Sequence, residues 1–282
     1  VDLNVPLLYA AWKIAAFAAG ASLGSFMGVA LSRIPDGVSL WSPPSRCDVC
    51  GTPIAWRDNI PLISWLALGA RCRACEAPLP ALYPLIELLG GMVAWLVFDR
   101  FVPSPAFLDA PHLAAAAVFY LFCWLLLLAT YLDLKARIIP EISSVWAVPI
   151  GVACAAGLEW LGYAGWLSIG WRASVIGALL GGGVLGTLSL VWRYALGRDG
   201  LGWGDVRLVA MIGAFLGPLP GLWTVLLLGS FGGALVGIGA VLALRRSVYL
   251  PFGPSLAAAG ITYVLWGDQL VVRLFPGMAA FL

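Results

Sequence analysis

Eight apolar runs succeed one another along the 282 residues, and few folds are open to a chain built this way. The runs fall near 5–31, 81–98, 112–132, 143–160, 173–195, 206–218, 222–244 and 254–280. A helix needs about 20 residues to cross roughly 30 Å of hydrocarbon, and the longer runs reach that length. Only helices and closed barrels satisfy their backbone polar groups in lipid. These runs are continuous rather than alternating, so the expected fold is an all-α polytopic membrane protein of about eight membrane-associated helical segments. Apolar residues make up 62% of the chain and charged residues 11%, about half the charged share of a soluble domain. A net charge of +2 leaves no electrostatic footprint for a nucleic-acid partner.

Two runs depart from a simple span. The 206–218 run offers about 20 Å of helix and is broken by Gly217-Pro218 and Pro220-Gly221, so it is expected to be embedded within the bundle. The last run carries Asp268 and Arg273, which limits its span to the first half. Fourteen Trp fit an interfacial aromatic belt, and 34 Gly with 19 Pro fit close packing and broken helices. The first run lacks the short basic leader of a signal peptide, because Lys13 lies inside it. It reads as a retained first span, 1–31.

The one long polar segment, 32–80, holds Cys47-Asp48-Val49-Cys50 and Cys72-Arg73-Ala74-Cys75. Each CxxC can direct both sulfurs at one tetrahedral ion, so this spacing predicts a zinc-ribbon-like insertion liganded by Cys47, Cys50, Cys72 and Cys75. Basic residues set its side of the membrane. Arg33, Arg46, Arg57, Arg71 and Arg73 lie in the segment; Lys135 and Arg137, then Arg193, Arg198 and Arg207, then Arg245 and Arg246 mark the later turns on the same side. This bias places the Cys-rich loop in the cytoplasm and both termini on the periplasmic side. A reducing cytoplasm disfavours disulfides, so a closed structural Zn2+ site is expected, one that folds a segment too poor in apolar residues for its own core. Cys123 and Cys154 lie in apolar runs and read as ordinary buried residues. The remainder, 81–282, is the polytopic helical domain.

Two acids stand at that same face. Asp133 closes the apolar run 119–132, and Asp205 closes Gly202-Trp203-Gly204-Asp205 before the short helix. An acid at the end of a span can be a headgroup anchor, and Asp205 can be a helix cap. As a pair, they can share a proton, one activating water while the other protonates a peptide group. The glycines around Trp203 permit a close backbone approach. The sole histidine, His112, follows Pro111 in an outside loop; no HExxH centre exists, and Ser25 lacks a GxSxG context. Gly181-Gly182-Gly183 lacks the Lys-Ser/Thr of a phosphate loop and reads as helix packing.

At these residues the chain resembles the bacterial prepilin leader peptidases. The resemblance runs over nearly the whole chain. It is carried by the opening 24–35 (GSFMGVALSRIP), the segment 58–65 (DNIPLISW) between the CxxC motifs, 83–89 (YPLIELL), Asp133, 202–208 (GWGDVRL) and 251–254 (PFGP). It implies an intramembrane aspartyl endopeptidase with Asp133 and Asp205 as catalytic residues. Implied substrates are precursors of type IV pilins and type II secretion pseudopilins, cut after a leader glycine at the cytoplasmic face of the bacterial inner membrane. The resemblance also implies transfer of a methyl group from S-adenosyl-L-methionine to the new N-terminus. Asp58, Glu76 and Glu87 are carboxylates that could position or deprotonate that amine.

Four positions depart from the family pattern. Gly28 stands where Asn is common, Ala70 and Glu76 where Gly is common, and Glu141 keeps the acid found after the proline. A protease-only enzyme and an ion-coupled transporter are the alternative readings, the latter from the acid pair and the broken helix.

Overall fold

A computed structural model describes residues 4–197, 202–244 and 251–281. Among them, seven helical stretches are long and apolar enough to cross a membrane. The protein is polytopic and its regular structure is helical. The chain forms two compact units, Val1–Leu108 and Asp109–Leu282.

In the first unit, α1 (Asn4–Arg33) precedes the Cys-rich segment with its short α2 (Ile63–Ala67), and α3 (Leu82–Phe101) returns against α1. Glycines set how closely the two long helices pack. A Cβ on Gly90 would lie 2.7 Å from the Gly20 carbonyl oxygen, and one on Gly24 would lie 2.9 Å from Glu87 Cα. Small residues at this spacing let backbones touch where lipid supplies no hydrophobic drive. Lys13 is not stranded in its apolar run. It pairs with Asp99 of α3 and lies over the Tyr9 and Trp95 rings. One turn away, Tyr9 donates to the Val102 carbonyl at 2.7 Å, fastening the same end of the helix pair.

The second unit holds α4 (Ala110–Ala136), α5 (Ala147–Trp160), α6 (Trp171–Leu196), α7 (Trp203–Leu216), α8 (Trp223–Leu244) and α9 (Gly253–Leu274). Asp109 caps α4 by accepting the His112 N–H at 2.9 Å, and its carboxylate also meets the His112 ring. That N–H and the ring hold the Asp109 carboxyl below the usual range. His112 is thus tied to a helix cap and stands edge-on to Tyr163. The short helix behaves as its length requires. α7 has 14 residues, ends at Gly217, and is separated from α8 by non-helical backbone at Leu219. It is among the most buried elements, packed on α6 where Gly177 and Gly213 meet backbone to backbone. A Cβ on Gly181 would lie 2.6 Å from the Val209 carbonyl, so the glycine run serves helix packing. The last run, expected to span only in its first half, forms one helix, α9, that is long and apolar enough to cross as a whole and carries a kink at Trp266, just before Asp268.

One expectation needs correcting. No β-strand forms among the described residues, so the Cys segment is not a ribbon. Each CxxC turn is closed by a single isolated bridge, Arg46 with Pro53 and Arg71 with Pro78. The backbone bonds on both sides of each bridge form, and no further bridge follows among the described residues. Of the basic residues used to orient the chain, Arg198, Arg245 and Arg246 lie outside the described residues.

Candidate metal centre and paired-acid site

The two CxxC turns are copies of one another. Cys47 N–H bonds to the Thr52 carbonyl and Ile54 N–H to Ser45; twenty-five residues later Cys72 bonds to Ala77 and Leu79 to Ala70. Gly51 N–H closes on the Cys47 carbonyl, and Glu76 N–H closes on Cys72 in the same way. The residue after each second cysteine is left-handed, with φ 71° at Gly51 and 57° at Glu76. Ala70 is left-handed as well, at φ 59° after Gly69 at 58°. Both positions where this chain lacks the family's glycine are therefore places where the backbone favours one.

The sulfurs of Cys47, Cys50, Cys72 and Cys75 lie within 4.8 Å of one another, with Cys47 and Cys75 at 3.8 Å. Four Zn–S bonds of about 2.3 Å at tetrahedral angles would separate sulfurs by about 3.8 Å, so the set fits. Electrostatics points the same way. The Thr52 hydroxyl, 3.2 Å from Cys50, pulls that thiol down to about 6, and the Cys75 N–H lowers Cys72. Cys75, although the Ala77 N–H favours its thiolate, is pushed up to about 12 by desolvation and the other sulfurs. Four thiolates this close would repel one another, a repulsion that a bound cation would relieve.

The segment between the knuckles is fastened from both sides. Arg73, inside the second knuckle, grips both oxygens of Asp58 at 2.7 to 3.2 Å and holds that carboxyl below its usual range. Leu62 stands at φ 63°, ψ −48°, with Ile63 N–H 2.6 Å from the Pro61 carbonyl, a tight γ-turn. Its own N–H donates to Glu87 Oε2 at 2.7 Å. Buried Ser64 accepts the Ile60 N–H and donates to the Arg57 carbonyl. Of the three carboxylates considered for methyl transfer, Asp58 and Glu87 are thus engaged in holding this loop. Beside it, Ser25, Phe26, Arg33, Trp41 and Asn59 help line a cavity of about 340 Å³.

In the second unit the ends of three helices converge. Asp133 lies in the last turn of α4 and is 8% exposed. Asp205 is the third residue of α7 and half-buried. Seventy-two residues apart in sequence, the two carboxylates are near enough to act on each other electrostatically. Gly204 carries the close approach expected of this motif: a Cβ there would lie 3.1 Å from Ile139, on the turn after α4. Gly202 does something else. It precedes the helix in extended backbone, φ −66° and ψ 133°, and its carbonyl accepts the Asp205 N–H at 3.0 Å. Sequence reasoning gave no role to Gly253, the first residue of α9. Its N–H donates to the Asp133 carboxylate, and a Cβ on it would lie 2.6 Å from Asp133 Oδ2.

Helices long and apolar enough to span a bilayer, two carboxylates near enough to act on each other at the ends of α4 and α7, and four cysteines able to hold one metal ion together define a narrow class, the polytopic acid-pair proteins. The chain matches the bacterial peptidase A24 N-terminal domain over residues 18–101 and the type IV leader peptidase family over residues 120–238. Among its relatives is a prepilin leader peptidase/N-methyltransferase of Aeromonas hydrophila, 34% identical over 277 residues with 88% of each chain covered. Another with the same name, from Pseudomonas aeruginosa, is 32% identical and spans 93% of this chain and 92% of its own. A third, from Myxococcus xanthus, is 37% identical over 71% of this chain and 55% of its own. No solved structure matches. The chain belongs to the type IV leader peptidase family and is a peptidase.

Proposed function

We propose that this protein removes the leader of type IV prepilins or type II secretion pseudopilins at the cytoplasmic face of the inner membrane, with Asp133 and Asp205 as the catalytic pair. The observation that carries the reading is the convergence of these acids from α4 and α7, beside the start of α9. One carboxylate takes a proton from water as its oxygen attacks the peptide carbonyl; the other protonates the departing amine. A precursor whose apolar helix lies in lipid and whose basic leader stays in water would bring the bond after the leader glycine to this depth. The 32–80 segment is the cytoplasmic module in this reading, and both termini are periplasmic. Zn2+ on Cys47, Cys50, Cys72 and Cys75 holds that module together and leaves no ligand position for a catalytic water.

Methyl transfer from S-adenosyl-L-methionine to the new N-terminus is the second activity. The substitutions at Ala70 and Glu76 change backbone conformational cost and remove no reactive group, which favours retention. The cavity beside Trp41 and Arg33 is the pocket this segment offers the donor.

The test is a labelled prepilin incubated with detergent-purified enzyme. Asp133→Asn and Asp205→Asn should remain folded in the membrane and leave the precursor uncut; full turnover by either would sink the paired-acid reading. Mass spectrometry of the product, with and without the methyl donor, separates a bifunctional enzyme from a protease alone. Gradient-driven ion flux without cleavage would favour a transporter.

A further inference from the structure

We propose that Gly253 is a positioning residue for the peptidase reaction, its backbone N–H orienting the Asp133 carboxylate; this rests on the paired-acid reading. The first N–H groups of any α-helix have no partner within the helix and need an outside acceptor. α9 is unusual in how it finds one. Its capping residue, Phe252, provides no side-chain acceptor. Its second residue, Pro254, has no N–H to satisfy. Gly253 N–H is therefore the first donor of the helix, and the acceptor comes from another element, the last turn of α4.

Asp133 thus caps α9 across the helix–helix contact, and the bond fixes both partners. A carboxylate that could rotate freely would present its oxygens to water and peptide at varying angles. Held by an N–H on a buried backbone, one side of the group is committed and the other is left for chemistry. The position tolerates no side chain, because a Cβ would stand 2.6 Å from Asp133 Oδ2, closer than real Cβ atoms come. This gives a physical reason for glycine in the 251–254 motif, far from either acid in sequence.

Two measurements test it. Labelling Phe carbonyls with 13C and Gly amides with 15N marks only the Phe-Gly pairs, 231–232 and 252–253. The Gly253 amide resonance should move upfield in Asp133→Asn while that of Gly232 stays; an unmoved Gly253 signal would show there is no such bond. Second, Gly253→Ala should lower kcat for prepilin cleavage by about 10- to 100-fold with KM within about twofold, the scale of a misplaced reacting group. Gly260→Ala is the control. It crowds Leu126 of α4 at 2.8 Å, on the same pair of helices but away from the acids, and should keep near wild-type kcat. Unchanged kcat in Gly253→Ala, or an equal loss in Gly260→Ala, would overturn the proposal. If Gly253→Ala does not fold, the resonance decides alone. Failure of the paired-acid reading would show separately, as cleavage by Asp205→Asn.

Discussion

Glu87 holds the loop between the two CxxC turns, and replacing it gives a graded test of that role. It is 9% exposed on α3, with its Cα against Gly24 of α1, and its Oε2 accepts the Leu62 N–H at 2.7 Å. Leu62 sits in left-handed backbone, so the turn needs an external hold to keep its shape. A hydrogen bond to a charged acceptor contributes about 1.5–3 kcal/mol, and a neutral one about 0.5–1.5 kcal/mol. Glu87→Gln keeps an acceptor and should cost about 1 kcal/mol. Glu87→Ala leaves the Leu62 N–H unpaired and should cost about 2–3 kcal/mol. Two kcal/mol raises the open population of the loop by roughly 30-fold.

Limited proteolysis of the detergent-solubilised protein measures this, since cleavage tracks the open population when reclosing is fast. The 56–68 stretch should be cut in the order wild type, Gln, Ala, with steps of several-fold, while the 109–282 unit keeps its protection. Equal rates for all three proteins would refute the reasoning. So would a Gln variant as labile as Ala, because the acceptor would then not matter.

Removing one sulfur, as in Cys50→Ser or Cys75→Ser, should reduce retained zinc from about one per chain to well below that by elemental analysis, and should expose 36–80 to protease. Glu76→Gly should stabilise the second knuckle by up to about 1 kcal/mol, whereas Gly51→Ala at the matching position should destabilise the first by about as much; chelator competition on the two proteins should move in opposite directions. Asp58→Asn should loosen the segment at neutral pH. Arg73 lowers the folded-state pKa of Asp58, so this contribution is fully present above the unfolded value near 4 and is lost as pH falls through the lower folded one. Protease sensitivity of variant and wild type should therefore differ at pH 7 and converge only at strongly acidic pH.

Much of this architecture is legible in the chain because bilayer physics leaves few alternatives. Run length sets 206–218 apart from the longer apolar runs, and Gly217-Pro218 marks the end of α7. The charges at Asp268 and Arg273 suggest a half-length span, but α9 runs on through both of them, with a kink at Trp266. The four sulfurs are legible because CxxC spacing fixes a local turn whatever surrounds it. The ribbon is not, since strand pairing depends on how the residues flanking each turn meet in three dimensions, and here it stops at one bridge per turn. Lys13 looks misplaced until Asp99 is brought beside it from another helix. Partners of that kind are set by helix register, which one-dimensional periodicity does not reveal.

The same limit explains why the motifs were visible before their purposes. Asp133 and Asp205 draw attention as acids at the ends of apolar runs and Gly204 as a place for close approach, but Gly253 draws it only as a glycine. In the fold these glycines are the other half of the site. Gly204 lets α7 rest on Ile139, directly after the α4 turn that carries Asp133, and Gly253 lets α9 donate to Asp133 itself. Near the acids the glycines lie against side chains, Gly204 against Ile139 and Gly253 against Asp133, while α7 is held against α6 by the backbone contact of Gly177 with Gly213. A carboxylate pair in a membrane is costly to assemble, and soft side-chain packing in lipid gives little directional force to hold it. Backbone contacts at glycine are rigid and short-ranged, so they fix helix spacing where apolar side chains would allow it to drift. On this view the glycines in 202–208 and 251–254 set the geometry, and the acids supply the chemistry that the geometry permits.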